Sequence, residues 1–130
     1  MSNPNIFPAL RYTDAQKALT WLRDAFGFEQ VMSVPGPDGT VAHAEMRLGA
    51  GRVMFGSAPK GSVPETDPDP RAAHFTVYVA VPDVDAHYAR AREAGAEITM
   101  ELRDTDYGSR EYSARDFEGN HWAFGTYQPQ

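Results

Sequence analysis

Cysteine is absent from the chain, so disulfide bonds, thiolate metal sites and cysteine nucleophiles are all excluded. Lysine is scarce as well: Lys17 and Lys60 are the only two, and the ten arginines are scattered among acidic residues. The net charge of −6 and the lack of a clustered cationic stretch argue against binding to phosphate backbones. No nucleic-acid partner is therefore expected.

Long apolar runs are missing too. No stretch approaches the roughly 20 apolar residues that a membrane-spanning helix needs. The amino terminus, residues 1–4, has neither a basic start nor the apolar core of a signal peptide. We therefore expect no membrane association and a cytoplasmic location. The 130 residues, 42% of them hydrophobic and 23% charged, suit a compact globular domain with a substantial core.

The first half of the chain alternates between strand and helix patterns. Residues 5–12 predict a strand, and Asp14 is a suitable N-cap for a helix whose apolar stripe runs to about Phe26. Gly27 is placed to end that helix. Three further strands are predicted over residues 29–34, 40–48 and 52–56. The predicted order of elements is β-α-β-β-β.

A segment rich in proline then interrupts the pattern, and the same order returns after it. Residues 57–73 contain four prolines and show no periodicity, which predicts a surface linker. A strand is predicted over residues 74–81, and Asp83 and Gly95 bound a second helix. The last three strands are predicted over residues 97–102, 111–115 and 120–127.

A constant spacing connects the two halves. The separation between Asp14 and Asp83 equals the separation between Phe55-Gly56 and Phe124-Gly125. We interpret the chain as one domain, 1–130, built from two βαβββ modules over 5–56 and 74–127. An α+β domain with accidental symmetry is the alternative.

The most specific motif is the closing stretch from Arg115 to Tyr127. It reads as a strand end, a tight Asp-x-Glu-Gly turn and an aromatic strand. In that strand Trp122 and Phe124 point to one face, while His121 and Ala123 point to the other.

Together these features resemble the vicinal oxygen chelate superfamily, which includes glyoxalase I, the bleomycin-resistance proteins and the extradiol dioxygenases. The resemblance is carried by Arg11-Tyr12-Thr13-Asp14, by Val41-Ala42-His43-Ala44-Glu45-Met46, by Val81-Pro82-Asp83 and by the closing stretch. It implies an α+β fold in which two βαβββ modules form a curved mixed sheet around a cleft. In metal-dependent members of this family, histidine, glutamine or glutamate from the first and fourth strand of each module hold an ion in the cleft.

The positions that match those metal ligands hold other residue types in this chain. They are Phe7 and Met54 in the first half and, at the same constant spacing, Thr76 and Ala123 in the second. Phenylalanine and alanine offer no lone pair, a thioether suits soft ions, and a neutral threonine hydroxyl is a weak ligand. We therefore predict that the protein binds neither a metal nor another cofactor.

Aromatic and apolar residues at the expected cleft positions suit a flat organic ligand, with a few polar groups to orient it. The residues predicted to contact the ligand are Phe7, His43, Met54, Thr76, Tyr78, Tyr112, His121 and Ala123. The leading interpretation is a metal-free protein that binds a drug or an aromatic metabolite. The resemblance to the bleomycin-resistance members also implies a homodimer.

Two enzymatic alternatives remain open. His43 and Glu45 share a strand face, and with His74 or His121 they can form an atypical metal site for a glyoxalase- or dioxygenase-like enzyme. His43 can also act as a metal-free acid/base pair with Tyr112, which follows it at the constant spacing of the two halves. The simpler explanation is a polar strand face. On that explanation, alternate residues from Val41 to Arg47 are solvated and Ala42, Ala44, Met46 and Leu48 are buried.

Overall fold

The computed structural model describes residues 7–59 and 76–128. The chain divides into two compact units, Met1–Pro64 and Glu65–Gln130. The first unit contains β1 (Ala9–Tyr12), α1 (Ala15–Trp21) with a π-helical turn (Leu22–Phe26), β2 (Glu29–Pro35), a short 3-10 helix (Pro37–Gly39), β3 (Val41–Leu48) and β4 (Gly51–Ser57). The second contains β5 (Val77–Ala80), α2 (Val84–Glu93), β6 (Glu97–Asp104), β7 (Arg110–Arg115) and β8 (His121–Gly125). No helix in the described ranges is both long enough and apolar enough to span a membrane.

Each unit folds its four strands into one mixed sheet of the same topology. The strand orders are β1-β4-β3-β2 and β5-β8-β7-β6, and in each sheet only the first strand runs parallel to its neighbour. Ala9 pairs with Met54 in the first sheet, and Tyr78 pairs with Ala123 in the second. Each member of the second pair follows its counterpart in the first at the constant spacing seen in the sequence. The predicted α+β fold with two βαβββ modules is confirmed. Most of the predicted linker lies outside the described residues.

The helices begin and end at the residues that the sequence indicates. The Asp14 carboxylate accepts a 3.0 Å bond from the Lys17 amide, and the Asp83 carboxylate accepts one of equal length from Ala86. These bonds satisfy amides that have no partner within the first turn. Gly27 ends the first helix at a φ of 84°, in the left-handed region that glycine enters at no steric cost.

One face of each sheet packs against its helix and forms the core of that unit. In the first unit the buried side chains include Leu10, Tyr12, Ala44, Met46, Phe55 and, from the helix, Ala18 and Leu22. In the second they include Tyr112, Ala114, Trp122, Phe124 and, from the helix, Val84 and Ala91. The side chains on the other face of each sheet are mostly half-buried or exposed, and this face offers positions for a ligand.

Strand β3 departs from the predicted alternation at its start. Val41 is buried and Ala42 is exposed, the reverse of the expectation. The cause is a bulge: Val34 of β2 pairs with His43, but the next residue, Pro35, pairs with Val41. Beyond the bulge the prediction holds, because Ala44 and Met46 are buried while His43 and Glu45 point to the other face.

The closing turn is held by one buried carboxylate, that of Asp116. Its Oδ1 accepts from the backbone amides of Glu118 and Asn120, at 3.0 Å each. Its Oδ2 accepts from the Asn120 side-chain amide and from the Trp122 indole N–H, at 3.1 Å each. Gly119 supplies the positive φ of 87° that the turn requires. The motif therefore fixes the start of β8 and the position of the tryptophan in the core.

Candidate functional site

The half-exposed face of the first sheet is built by cross-strand pairs. Ala9 of β1 lies beside Met54 of β4, Met54 lies beside Glu45 of β3, and Glu45 lies beside Met32 of β2. Directly paired residues point to the same face of a sheet. These four side chains therefore form one row across the face.

A hollow with a volume of about 580 Å³ opens on this face, next to the β3–β4 hairpin. It is lined by Phe7, Glu45, Arg47, Gly49, Ala50, Arg52 and Met54. Two predicted contact residues, Phe7 and Met54, are thus brought together in one unit. Phe7 is 37% exposed, so part of its ring is open to the hollow and not buried in the core.

A chain of charged side chains crosses the same face. The Nε2 atom of His43 lies 2.9 Å from Oε2 of Glu45, and Nη1 of Arg52 lies 3.5 Å from Oε1 of the same carboxylate. Arg47 binds Glu29 on the neighbouring strand through Nη2, at 3.1 Å. Both carboxylate oxygens of Glu45 are therefore in contact with a nitrogen-bearing side chain. His43, a predicted contact residue, is not among the lining residues of the hollow, but it contacts Glu45, which is.

The second sheet places Tyr78 and Ala123 on its half-exposed face, in register with each other. The Tyr78 hydroxyl donates to the Tyr127 carbonyl at 2.7 Å. Burial, followed by the nearby Glu111 carboxylate, raises the pKa of Tyr78, so this phenol acts as a neutral donor. His121 is half-buried at the start of β8, and Thr76 is exposed just before β5. His74 lies outside the described residues.

Tyr112 lies on the opposite face of that sheet, contrary to the prediction. It is 0% exposed and pairs with Phe124, not with Ala123. Its hydroxyl oxygen lies 2.6 Å from Nδ1 of His87 on α2, and burial raises the pKa of Tyr112. The phenol is therefore part of the helix-packed core. Neither a ligand-contact role nor an acid/base role with His43 is available to it.

The error has an identifiable cause in the spacing of the two halves. Ala44 pairs with Phe55 in the first sheet, and Tyr112 pairs with Phe124 at the equivalent place in the second. The spacing from Ala44 to Tyr112 is therefore one residue shorter than the spacing from Phe55 to Phe124. The second helix has lost that residue, as the helix-ending glycines Gly27 and Gly95 already show. The residue that corresponds to His43 is consequently Glu111. It contacts Tyr107 through a 2.9 Å hydrogen bond and lies near Tyr78.

Arg47 and Arg52 also line the site, and neither was predicted from the sequence. Both belong to a polar strand face, which by itself indicates only solvation. Their positions on either side of the Gly49-Ala50 turn could have indicated them, because residues so placed in a hairpin lie directly opposite each other.

The donor groups do not fit the metal site of the metal-dependent family members. In the first unit the two corresponding positions hold Phe7 and Met54, and in the second they hold Thr76 and Ala123. Only a neutral hydroxyl and a thioether are present among them, and neither is a good ligand for a hard or borderline divalent ion. Within residues 7–59 and 76–128, no three histidine, aspartate or glutamate side chains converge to hold a metal.

The sequence of the chain matches a protein family and individual relatives. The sequence model of the Glyoxalase/Bleomycin resistance protein/Dioxygenase superfamily matches residues 7–124. The uncharacterized protein Rv0887c of Mycobacterium tuberculosis (strain ATCC 25618 / H37Rv) is 34% identical over 125 residues, which cover 94% of this chain and 74% of that protein.

Solved structures share the fold as well. TioX from Micromonospora sp. ML1 is 34% identical, and the match covers 98% of both chains with a TM-score of 0.75. The fosfomycin resistance protein FosX from Listeria monocytogenes, solved with Mn(II) and a dihydroxypropylphosphonic acid, is 16% identical. That match covers 98% of this chain and 93% of FosX with a TM-score of 0.67. At that identity, the likeness to FosX shows the fold alone.

Proposed function

The chain belongs to the Glyoxalase/Bleomycin resistance protein/Dioxygenase superfamily, and within it we propose that the protein binds a small organic molecule without a bound metal. The ligand class is a drug or an aromatic metabolite, held in the hollow on the first sheet. We include in the proposal that the protein acts as a homodimer, as the bleomycin-resistance members do.

The observation that carries the proposal is the composition of the hollow. Its volume of about 580 Å³ suits a drug-sized molecule. At the two positions where a metal-dependent relative would present ligands, it presents Phe7 and Met54. An aromatic ring and a thioether offer dispersion and stacking contacts to a flat ligand instead. The metal-binding positions of the fold are thus converted to apolar contact surface.

The polar groups of the face suit orientation of a ligand better than catalysis. Glu45 is held by His43 on one side and by Arg52 on the other. The partner that an acid/base reaction would recruit, Tyr112, is enclosed in the core of the second unit. A few fixed polar groups beside an apolar surface are the usual composition of a small-molecule binding site.

The metal-free part of the proposal is tested by elemental analysis. Protein purified without chelator should contain well under one transition-metal ion per chain, because the four positions offer no carboxylate or imidazole. Elemental analysis by mass spectrometry, with metal-dependent glyoxalase I as the positive control, gives the content. A stoichiometric ion that survives dialysis would overturn this part and direct attention to His43, Glu45 and His121.

The binding part is tested with an uncharged aromatic probe, N-phenyl-1-naphthylamine, whose fluorescence rises on transfer to an apolar site. We expect saturable one-to-one binding to the wild-type protein. Met54→Asp should weaken it by about tenfold, because the variant loses the apolar thioether contact and the bound ligand would remove the new carboxylate from water. Phe7→Ala should also weaken it, by removing apolar contact area while leaving the sheet intact.

The matched control is Val31→Asp, which introduces the same carboxylate at an exposed apolar residue of β2 that does not line the hollow. It should bind the probe as the wild type does. Circular dichroism confirms that each variant is folded, and Phe7→Ala decides the question if Met54→Asp is not. Equal affinity of the wild type and both site variants would contradict the proposed location of the ligand.

A further inference from the structure

We infer that the natural ligand carries an anionic group, such as a carboxylate or a sulfonate, and that Arg52 and Arg47 bind it. This inference rests on the proposed function and specifies its ligand class: an organic acid whose apolar part lies against Phe7 and Met54.

The charged residues that line the hollow differ in balance from the rest of the chain. The whole chain carries a net charge of −6. The residues that line the hollow nevertheless include two arginines and one glutamate. The glutamate, Glu45, is only 24% exposed, and each of its oxygens already contacts His43 or Arg52. The lining alone therefore holds one more cation than anion, and its one carboxylate already contacts His43 and Arg52. Glu29, which lies outside the lining, balances the charge of Arg47.

The two arginines lie side by side on the sheet. Arg47 and Arg52 are directly paired across the β3–β4 hairpin, so their side chains leave the same face of the sheet next to each other. Like charges in directly opposed positions destabilise a strand pair. Glu29 and Glu45 partly offset that repulsion, and an anion beside the two guanidinium groups would offset it further.

Both arginines keep hydrogen-bond donors for a ligand. A guanidinium group carries five N–H donors in a planar fork that suits two-point binding of a carboxylate. In the described part of the chain, the one ionic contact of Arg52 is a single 3.5 Å approach to Glu45. Arg47 directs Nε and Nη2 at Glu29, which leaves Nη1 for another acceptor. Both side chains are about half-exposed, so their remaining donors can reach a ligand.

The ligand class follows from combining these groups. Phe7 and Met54 provide apolar contact, and the arginine pair provides a charged end on the same hollow. A flat molecule with one acidic substituent satisfies both. A cationic ligand would meet two arginines, and the carboxylates beside them, Glu29 and Glu45, are already paired.

A pair of fluorescent probes tests the inference directly. N-phenyl-1-naphthylamine and 8-anilinonaphthalene-1-sulfonate share the same aromatic skeleton, but only the second carries a sulfonate. We expect the wild-type protein to bind the sulfonate at least about tenfold more tightly, since hydrogen bonds to charged groups are stronger than neutral ones. Raising the salt concentration from about 20 to about 200 mM should narrow this preference, because the groups are partly exposed.

Variants assign the preference to the arginines. Arg52→Gln and Arg47→Gln should each reduce the ratio of the affinity for the sulfonate to the affinity for the uncharged probe severalfold. Arg23→Gln is the matched control: it removes one positive charge from the helical side of the same unit and should not change either affinity.

The outcomes separate the inference from the proposed function. If neither probe binds at the hollow, the proposed function fails. The second case is that the uncharged probe binds and Met54→Asp weakens its binding, but the protein does not prefer the sulfonate, or still prefers it in both arginine variants. In that case the inference fails and the proposed function stands. A loss of preference in Arg23→Gln as well would show a general charge effect and would also overturn the inference.

Discussion

Replacing Asp116 by alanine should lower the free energy of unfolding by about 3 kcal/mol or more. The carboxylate is 4% exposed and accepts from two backbone amides, one side-chain amide and the Trp122 indole. A buried donor that loses its acceptor costs about 1–3 kcal/mol, although water and relaxation recover part of that loss. Because typical domains are stable by about 5–15 kcal/mol, the change is a large fraction of the total.

Urea denaturation followed by tryptophan fluorescence measures this effect, because Trp122 is itself a reporter of the closing turn. Asp106→Ala makes the same substitution in an exposed turn of the same unit and should change the unfolding free energy by less than about 0.5 kcal/mol. Asp116→Asn retains one acceptor oxygen and should fall between the two. An Asp116→Ala protein within about 1 kcal/mol of the wild type would show that the turn forms without the carboxylate.

The fold is predictable from the sequence wherever the chemistry of an element is local. Asp14 and Asp83 cap helices because a short carboxylate reaches the amides of the first turn. Gly27 and Gly119 adopt positive φ angles because other residues resist them. These features depend on a few neighbouring residues, so the sequence alone predicts them. The bulge at Ala42 cannot be predicted from neighbouring residues, because it arises from the pairing of β3 with β2.

The candidate site is predictable only in part, for a related reason. Phe7 and Met54 are identified because the resemblance to the family indicates the positions of its metal ligands, and the structure places both on one hollow. Tyr112 is misplaced because the constant spacing of the two halves does not hold through β7, and a shift of one residue moves a side chain to the other face of a sheet. Arg47 and Arg52 become meaningful only when the hairpin register sets them side by side.

Tyr112 makes the stability of the protein sensitive to alkaline pH. Its pKa is raised by burial in the folded chain, whereas an unfolded tyrosine ionises near pH 10. Below pH 10 the phenol is neutral in both states, and its contribution to stability is fully present. Above pH 10 the unfolded chain loses the proton while the folded chain keeps it. Stability must therefore fall as the pH rises, by about 1.4 kcal/mol per pH unit for this one group.

Tyr112→Phe isolates that contribution. At pH 8 the variant should be less stable than the wild type by about 1–2 kcal/mol, because Nδ1 of His87 loses the hydroxyl that lies 2.6 Å away. Between pH 10 and pH 11.5 the wild type should lose about 2 kcal/mol relative to the variant, so the difference should fall to zero or reverse its sign, since only the wild type loses the tyrosine contribution. The pKa values of Tyr78 and Tyr107 are also raised, but both residues are present in both proteins and cancel in the difference. Urea titrations at half-unit pH steps give the two curves. A difference that stays constant from pH 8 to pH 11.5 would mean that the phenol is not held neutral in the core, and the assignment of Tyr112 to the helix-packed face would be wrong.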